Sequence, residues 1–104
     1  MQSFIYRLGM VTQRDRDERR AFLAAFGQFL KIERVKRGMT QEEFADLLGV
    51  HRTFMGLLER GRRGTSIAEL PRMARGLGLK PRDLIPEPET PEGDWSDRRQ
   101  LPAR

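Results

Sequence analysis

The sequence contains no cysteine, one histidine and one tryptophan among its 104 residues. The absence of cysteine excludes a disulfide framework, a thiolate zinc site and cysteine nucleophile chemistry. The single histidine, His51, gives no basis for a histidine metal site. No apolar run reaches the roughly 18 residues that a membrane-spanning helix needs, and the N-terminus lacks the apolar core and cleavage site of a signal peptide. We therefore expect a soluble, cytoplasmic protein without a metal or cofactor.

The charge of the chain is unevenly distributed. Lysine and arginine number 20 against 15 aspartate and glutamate, which gives a formal net charge of +5. Residues 1–85 hold 17 basic and 10 acidic side chains, whereas residues 86–104 hold 3 basic and 5 acidic ones with four of the six prolines. A small basic domain makes a polyanion such as nucleic acid a candidate partner.

Composition divides the chain into three parts. Residues 86–104 are acidic, rich in proline and poor in apolar side chains, which predicts a disordered tail. Residues 21–85 are predicted to form the folded domain, and one small core is all that this length allows. Residues 1–20 contain a run without apolar side chains, Arg14–Arg20, interpreted as the solvated start of the first helix. The apolar residues between Phe4 and Val11 would dock on the domain, contact a second chain, or lie upstream of the natural start.

Helical spacing of apolar residues predicts an all-α bundle of about five short helices. The first covers about Ala21 to Arg37 and ends at Gly38, with an inward stripe of Phe22, Phe26, Phe29 and Leu30. Thr40 and Glu43 have the spacing of a capping box, which predicts the start of the second helix. Its predicted apolar face consists of Phe44, Ala45 and Leu48.

Glycines and capping residues mark the remaining helices. Gly49 is predicted to end the second helix in a left-handed turn, and the third helix then runs from about Arg52 to Arg60, with Met55 and Leu58 inward. Ser66 and Glu69 have the spacing of another capping box, which predicts a fourth helix with Leu70, Met73, Ala74 and Leu77 inward. Pro71 favours a start nearer the proline or a distorted first turn instead. Pro81 to Ile85 is predicted to form one last turn.

Two helices joined by a tight glycine turn are typical of the helix-turn-helix, whose second helix enters the major groove of DNA. The sequence also resembles the phage repressor and Cro-like (XRE) family of bacterial transcription regulators over residues 21–85. The matching motifs are Thr40-Gln41-Glu42-Glu43 followed by Ala45, then Gly49-Val50, and Leu58-Glu59-x-Gly61. The run His51-Arg52-Thr53-Phe54 is similar to that of restriction-modification controller proteins. The resemblance implies a lambda repressor-like fold and a DNA-binding function.

The chain departs from the family pattern at two positions. Many members have a proline where this chain has Thr65. Gly56 lies in the middle of the predicted recognition helix, where glycine costs about 1 kcal/mol relative to alanine.

The resemblance assigns base contacts to the start of the third helix. Arg52 is the strongest candidate because a guanidinium can donate two hydrogen bonds to guanine. Thr53 offers a hydroxyl and a methyl group, and Leu57 lies one turn later on the same side. Phe54 is interpreted either as a contact to a thymine methyl or as a core residue.

Backbone contacts are assigned to residues around the same helix. Gln41, at the start of the second helix, matches the family residue that bonds a phosphate. Arg60, Arg62 and Arg63 follow the third helix, where family members touch the flanking backbone. His51 is interpreted either as a phosphate contact or as a residue that only begins the helix.

Two further assignments rest on the resemblance. Arg34 and Glu59 occupy positions that form a partly buried ion pair between the first and third helices in this family. Leu79, Leu84 and Ile85 are candidate apolar contacts of a homodimer, because pairing two recognition helices doubles the half-site.

The sequence favours a homodimeric regulator that binds double-stranded DNA specifically. The alternative is a protein-interaction module, such as an antitoxin subunit, that contacts a protein partner through Phe4–Val11 or Trp95. A controller, a phage repressor and an antitoxin all fit the resemblance. An enzyme is disfavoured, since the sequence has no phosphate-binding loop, no ligand spacing and no Ser/His/Asp constellation.

Overall fold

The computed structural model describes residues 12–87, which contain four α-helices and two 3-10 turns and no strand. The helices are α1 (Gln13–Lys36), α2 (Gln41–Leu48), α3 (Arg52–Glu59) and α4 (Leu70–Leu77), and the 3-10 turns are Ile67–Glu69 and Pro81–Leu84. The all-α prediction is confirmed. The candidate contacts at Phe4–Val11 and Trp95 lie outside the described residues, as does all of the predicted acidic tail after Glu87.

The first helix is longer than its apolar pattern indicates. It begins at Gln13 and includes the run Arg14–Arg20, whose side chains are exposed. Thr12 caps it: its hydroxyl accepts from the Asp15 amide at 3.0 Å, and the Asp15 carboxylate accepts from the Thr12 amide at 3.2 Å. These two bonds lower the pKa of Asp15. The signal was a threonine three residues before an acid, the spacing that correctly located the start of α2.

No helix within residues 12–87 has both the length and the apolar character needed to cross a bilayer. The predicted domain boundary at residue 21 falls inside α1, because the helix continues without a break through this position.

Local capping fixes both ends of α2 as predicted. The Thr40 hydroxyl accepts from the Glu43 amide at 3.1 Å, and the Glu43 carboxylate accepts from the Thr40 amide at 2.9 Å. Gly49 then ends the helix with φ of +72°, a conformation that side chains resist. The capping box and the glycine stop are confirmed.

The predicted capping box at the start of the fourth helix is wrong. Ser66 makes no side-chain cap bond, and Ile67–Glu69 form a 3-10 turn before α4 begins at Leu70. Pro71 lies in the first turn of α4. Proline has no amide hydrogen and its ring clashes with the carbonyl four residues earlier, so a regular helix cannot run through it from Ser66. The alternative prediction, a distorted start near Pro71, is confirmed.

The apolar core forms where the four helices meet. α1 packs on α3, α2 packs on both α3 and α4, and α4 packs on the second 3-10 turn. The buried side chains include the predicted inward residues of α2, α3 and α4, together with Phe26 and Leu30 of α1. Phe22, predicted to point inward, is 36% exposed because it lies at the edge of the core, and Phe29 is only partly buried.

Two glycines let α1 approach α3 closely. A Cβ atom at Gly27 would lie 2.2 Å from the Leu58 carbonyl oxygen and 2.7 Å from that of Glu59. Gly61, with φ of +71°, would place its Cβ 2.9 Å from the Cα of Ala24. The C-terminal end of α3 therefore rests on the backbone of α1 with no side chain between them.

The C-terminal ends of α1 and α4 are joined by Arg37. Its guanidinium donates to the Leu77 carbonyl at 2.7 Å and also to the carboxylate of Glu33, a buried residue of α1. The hydrogen bond from Arg37 lowers the pKa of Glu33, with help from Lys36 and against the opposing effect of burial.

We expect Gly27→Ala to destabilise the fold even though alanine favours helix by about 1 kcal/mol. The new methyl group would overlap two backbone carbonyls, which cannot move away as a side chain can, and overpacking of this kind costs about 1–3 kcal/mol. Gly56→Ala is the matched control, because the nearest atom to its Cβ is the Arg60 Nη1 at 3.3 Å, the end of a flexible chain. Urea unfolding that ranks Gly27→Ala as the more stable of the two variants would contradict the close approach.

We expect Glu33→Gln to be less stable than the natural chain at neutral pH, with a difference that shrinks as the pH falls. Because the pKa of Glu33 is lowered by folding, its ionised form stabilises the fold above its ordinary range, and this stabilisation is lost below about pH 4.3. Asp46→Asn, at an exposed position of α2, is the control. Urea unfolding between pH 7 and pH 3 measures both, and a difference for Glu33→Gln that is constant with pH would refute the assignment.

Candidate nucleic-acid interface

α2 and α3 are joined by a three-residue turn, Gly49-Val50-His51. The Val50 amide donates to the Ala45 carbonyl at 2.9 Å, and its side chain is partly buried against the core, as predicted. The short turn and the packing of α3 on both α1 and α2 fix the direction of α3. This arrangement is a helix-turn-helix, as predicted.

His51 is the N-cap of α3. Its Nδ1 accepts a hydrogen bond from the Thr53 amide at 3.1 Å, while the rest of the side chain is exposed. An Nδ1 that accepts carries no proton in this arrangement, so the ring hydrogen is on Nε2. Of the two interpretations of His51, the helix-starting one describes this contact, and Nε2 remains as a second donor on the exposed side.

The side chains of Arg52 and Thr53 are exposed in the first turn of α3. Both lie directly after the cap, where the His51 bond fixes the start of the helix. A long cationic donor and a short hydroxyl therefore extend from the end of the helix that the fold leaves open.

Phe54 lies between the core and an arginine. The ring is partly buried against the core, and the Arg63 guanidinium carbon is 5.0 Å from its centroid, within the range of a cation–π contact. The core interpretation of Phe54 therefore describes its main contact. Arg63, a candidate phosphate contact, is positioned by this stacking. Leu57 is partly buried on α3.

A buried carboxylate joins α1, α2 and α3. The Glu59 side chain is 3% exposed and accepts two hydrogen bonds from Arg34, from Nε at 2.7 Å and from Nη2 at 3.2 Å. It also accepts from the Gln41 amide nitrogen at 3.0 Å. Arg34 in turn donates to the Met39 carbonyl at 3.0 Å in the turn before α2. The sequence reasoning foresaw the link between Arg34 and Glu59 but missed Gln41, whose register relative to Glu59 depends on the tertiary packing of two helices.

The contact with Glu59 fixes the orientation of Gln41. One of the two amide hydrogens of Gln41 is used by Glu59, and the other remains as a donor at the N-terminus of α2. Arg60 and Arg62 are exposed at the end of α3. The Arg60 guanidinium lies beside Gly56, in the space that a larger side chain on α3 would fill.

The candidate dimer residues do not all lie on the surface. Leu84 is 1% exposed, which corrects its assignment as a dimer contact: the second 3-10 turn places it in the core. Leu79 is partly buried against the core, whereas Ile85 is 48% exposed. Ile85 lines a small apolar groove of about 110 Å³ whose other lining residues are Phe22, Leu23, Phe26, Gly64, Thr65, Leu70, Leu84 and Pro86.

Comparison with known proteins places this site in a known context. A helix-turn-helix domain family matches residues 25–87. The control protein C.BamHI of Bacillus amyloliquefaciens is 36% identical over 61 residues, which cover 58% of this chain and 75% of that protein. A hypothetical transcription factor of Neisseria meningitidis is 30% identical over 92 residues, or 86% of this chain and 84% of that protein.

A solved structure has the same fold. The restriction-modification controller protein C.AhdI from Aeromonas hydrophila superposes with a TM-score of 0.58 and 38% sequence identity. The match covers 62% of this chain and 98% of that one. The part of the chain that forms α1 to α4 therefore has relatives that are named as regulators.

We expect Glu59→Ala to lower the free energy of unfolding by about 3 kcal/mol, because it leaves the Arg34 charge without its partner in a mostly buried position. Glu42→Ala removes an exposed carboxylate from the first turn of α2 and serves as the control. Chemical denaturation measures both variants. A loss below 1 kcal/mol for Glu59→Ala would show that the carboxylate does not hold the three helices together.

Proposed function

The chain belongs to the helix-turn-helix domain family, and from this premise we propose that it is a homodimeric transcription regulator that binds double-stranded DNA at a specific sequence. The observation that carries the proposal is the exposed first turn of α3, where Arg52 and Thr53 extend from a helix whose other end is tied to α1 and α2 through Glu59. Base readout needs donors on a rigid element, and this arrangement supplies both.

Arg52 is the principal base-reading residue in this proposal. Its guanidinium can donate two hydrogen bonds to the O6 and N7 atoms of one guanine. Thr53 supplies a hydroxyl for a base or phosphate and a methyl group for thymine. Leu57 contributes an apolar contact one turn later. Phe54 acts mainly by supporting Arg63, so any contact of its ring with a thymine methyl is made at the ring edge.

The backbone contacts surround α3 on two sides. Gln41 donates its remaining amide hydrogen from the start of α2, and His51 donates through Nε2. Arg60, Arg62 and Arg63 follow α3 and supply cations for the flanking phosphates. Arg63 enters this contact already ordered by Phe54, which reduces the conformational entropy lost on binding.

A homodimer is proposed because one short recognition helix reads only a few base pairs. Ile85 and Leu79 remain the candidate contacts after the removal of Leu84, and the apolar groove beside Ile85 extends this surface to Phe22. An exposed apolar groove of this kind is suited to self-association.

Among the regulators that fit, a restriction-modification controller is favoured. C.BamHI and C.AhdI carry this role in their names, and the resemblance of His51-Arg52-Thr53-Phe54 points the same way. Such a protein would act on DNA in the cytoplasm. The interaction-module alternative depends on Phe4–Val11 and Trp95, and no contact within residues 12–87 favours it.

The test is selection of binding sites from a random duplex library by the purified protein at near-physiological salt. We expect enrichment of a two-fold symmetric site, and Arg52→Ala should relax the preference at one position in each half-site, at a cost of about 1–3 kcal/mol. Arg75→Ala, an exposed arginine of α4, is the control and should leave the selected site unchanged.

Two results would refute the proposal. If the protein retains library DNA but enriches no site, it is not a sequence-specific regulator. If the enriched site has no symmetry, the protein does not bind as the proposed homodimer.

A further inference from the structure

A basic cavity lies between the N-terminal half of α1 and the loop that follows α3. Its volume is about 540 Å³, and it is lined by Arg16, Arg19, Arg20, Leu23, Ala24, Arg60, Gly61 and Arg62. Five of these eight residues are arginines and none is acidic. The cavity therefore concentrates positive charge of both α1 and the loop in one place.

The helical repeat explains why arginines collect there although Arg14–Arg20 has mixed charge. At 3.6 residues per turn, Arg16 and Arg20 lie within about 20° of Gly27 around the axis of α1. Gly27 is the residue that contacts the end of α3, so the same face of α1 continues past this contact as a row of arginines. Glu18 lies about 180° from Gly27 on this wheel, away from the cavity.

The internal partners of these arginines are weak ones. Arg20 pairs with Asp17 at 3.2 Å, but the two side chains are 72% and 58% exposed, so the pair is solvated and contributes little. Arg16 donates to Gln13 at 3.1 Å on the exposed side of the helix. An external anion can therefore replace these contacts without leaving a buried charge unpaired.

We propose that this cavity binds the phosphodiester backbone of double-stranded DNA through Arg16, Arg19, Arg20, Arg60 and Arg62. The inference rests on the proposed DNA-binding function and adds to it a contact surface on α1. The guanidinium group matches the geometry of phosphate oxygens. The cavity lining has no aromatic ring on which a base could stack and no acceptor that could select a small ligand, so the lining recognises negative charge.

Two observations support DNA as the polyanion. Arg60 and Arg62 belong both to this cavity and to the loop after the proposed recognition helix, so a duplex seated on α3 has its backbone close to the cavity. Arg16, Arg19 and Arg20 precede residue 25, where the match to the helix-turn-helix family begins, so this extension is an addition to the domain shared by the family. It provides affinity that does not depend on the base sequence.

The test compares the double variant Arg16→Gln/Arg20→Gln with the control Arg14→Gln/Arg75→Gln. Both remove two positive charges, and glutamine has nearly the helix propensity of arginine. Arg14 lies about 140° from Gly27 on the helical wheel, outside the cavity lining. Equilibrium binding is measured between 50 and 200 mM salt on the selected site and on an unrelated duplex of equal length, and circular dichroism verifies that each variant is folded.

For the cavity variant, we expect weaker binding to both duplexes with an unchanged ratio between them. Each lost phosphate contact lowers the slope of log affinity against log salt by about 0.9, so two contacts reduce the loss of affinity over this salt range by about twelvefold per protomer. The control should keep the slope of the natural chain.

Equal slopes for the cavity variant, the control and the natural chain would overturn the inference while leaving the proposed function intact. A natural chain that binds both duplexes equally would refute sequence-specific regulation, and the slope on either duplex would still decide whether the cavity holds the backbone. If the natural chain binds neither duplex, both proposals fail.

Discussion

The buried carboxylate of Glu59 is the constraint on which the geometry of the site depends. It lies at the C-terminal end of α3 and accepts hydrogen bonds from Arg34 of α1 and Gln41 of α2. A buried carboxylate needs these partners because its desolvation is otherwise far more costly than any packing gain. The requirement fixes three helices relative to one another. The direction of α3, and hence the placement of its exposed first turn, follows from this fixed end and from the close approach at Gly27.

Several arginines in this basic chain are structural. Arg34 binds the Met39 carbonyl, Arg37 binds the Leu77 carbonyl at the end of α4, and Arg72 binds the Leu48 carbonyl at the end of α2. The last carbonyls of a helix have no partner within the helix, and a cation there also interacts favourably with the helix dipole. Net charge alone therefore overstates the charge available to DNA. The arginines that remain exposed lie in the first turn of α3, in the loop after it and along the N-terminal half of α1.

Most of the fold could be predicted from the sequence because its signals are local. The Thr40 capping box, the stop at Gly49 and the helical spacing of buried residues each act within a few positions. The failures occur where distant residues or a stronger local rule decide. Pro71 overrides the Ser66 spacing, and Leu84 is buried because a 3-10 turn folds back onto α1 and α4, which periodicity cannot reveal. For the site, the family register indicated which residues surround α3. It did not indicate which of them bind one another, as Gln41 binds Glu59.

The N-terminal half of α1 shows why a mixed charge run is hard to interpret from sequence. Four basic and three acidic residues between Arg14 and Arg20 nearly cancel in a linear count. On a helix the signs separate by angle, and the packing of α1 on α3 decides which angle faces the cavity. In the proposed complex, α1 then contributes affinity and α3 contributes specificity through different side chains. Because the two sets meet only through the backbone contact at Gly27 and Gly61, substitutions on α1 can adjust the strength of DNA binding while the bases read by α3 stay the same.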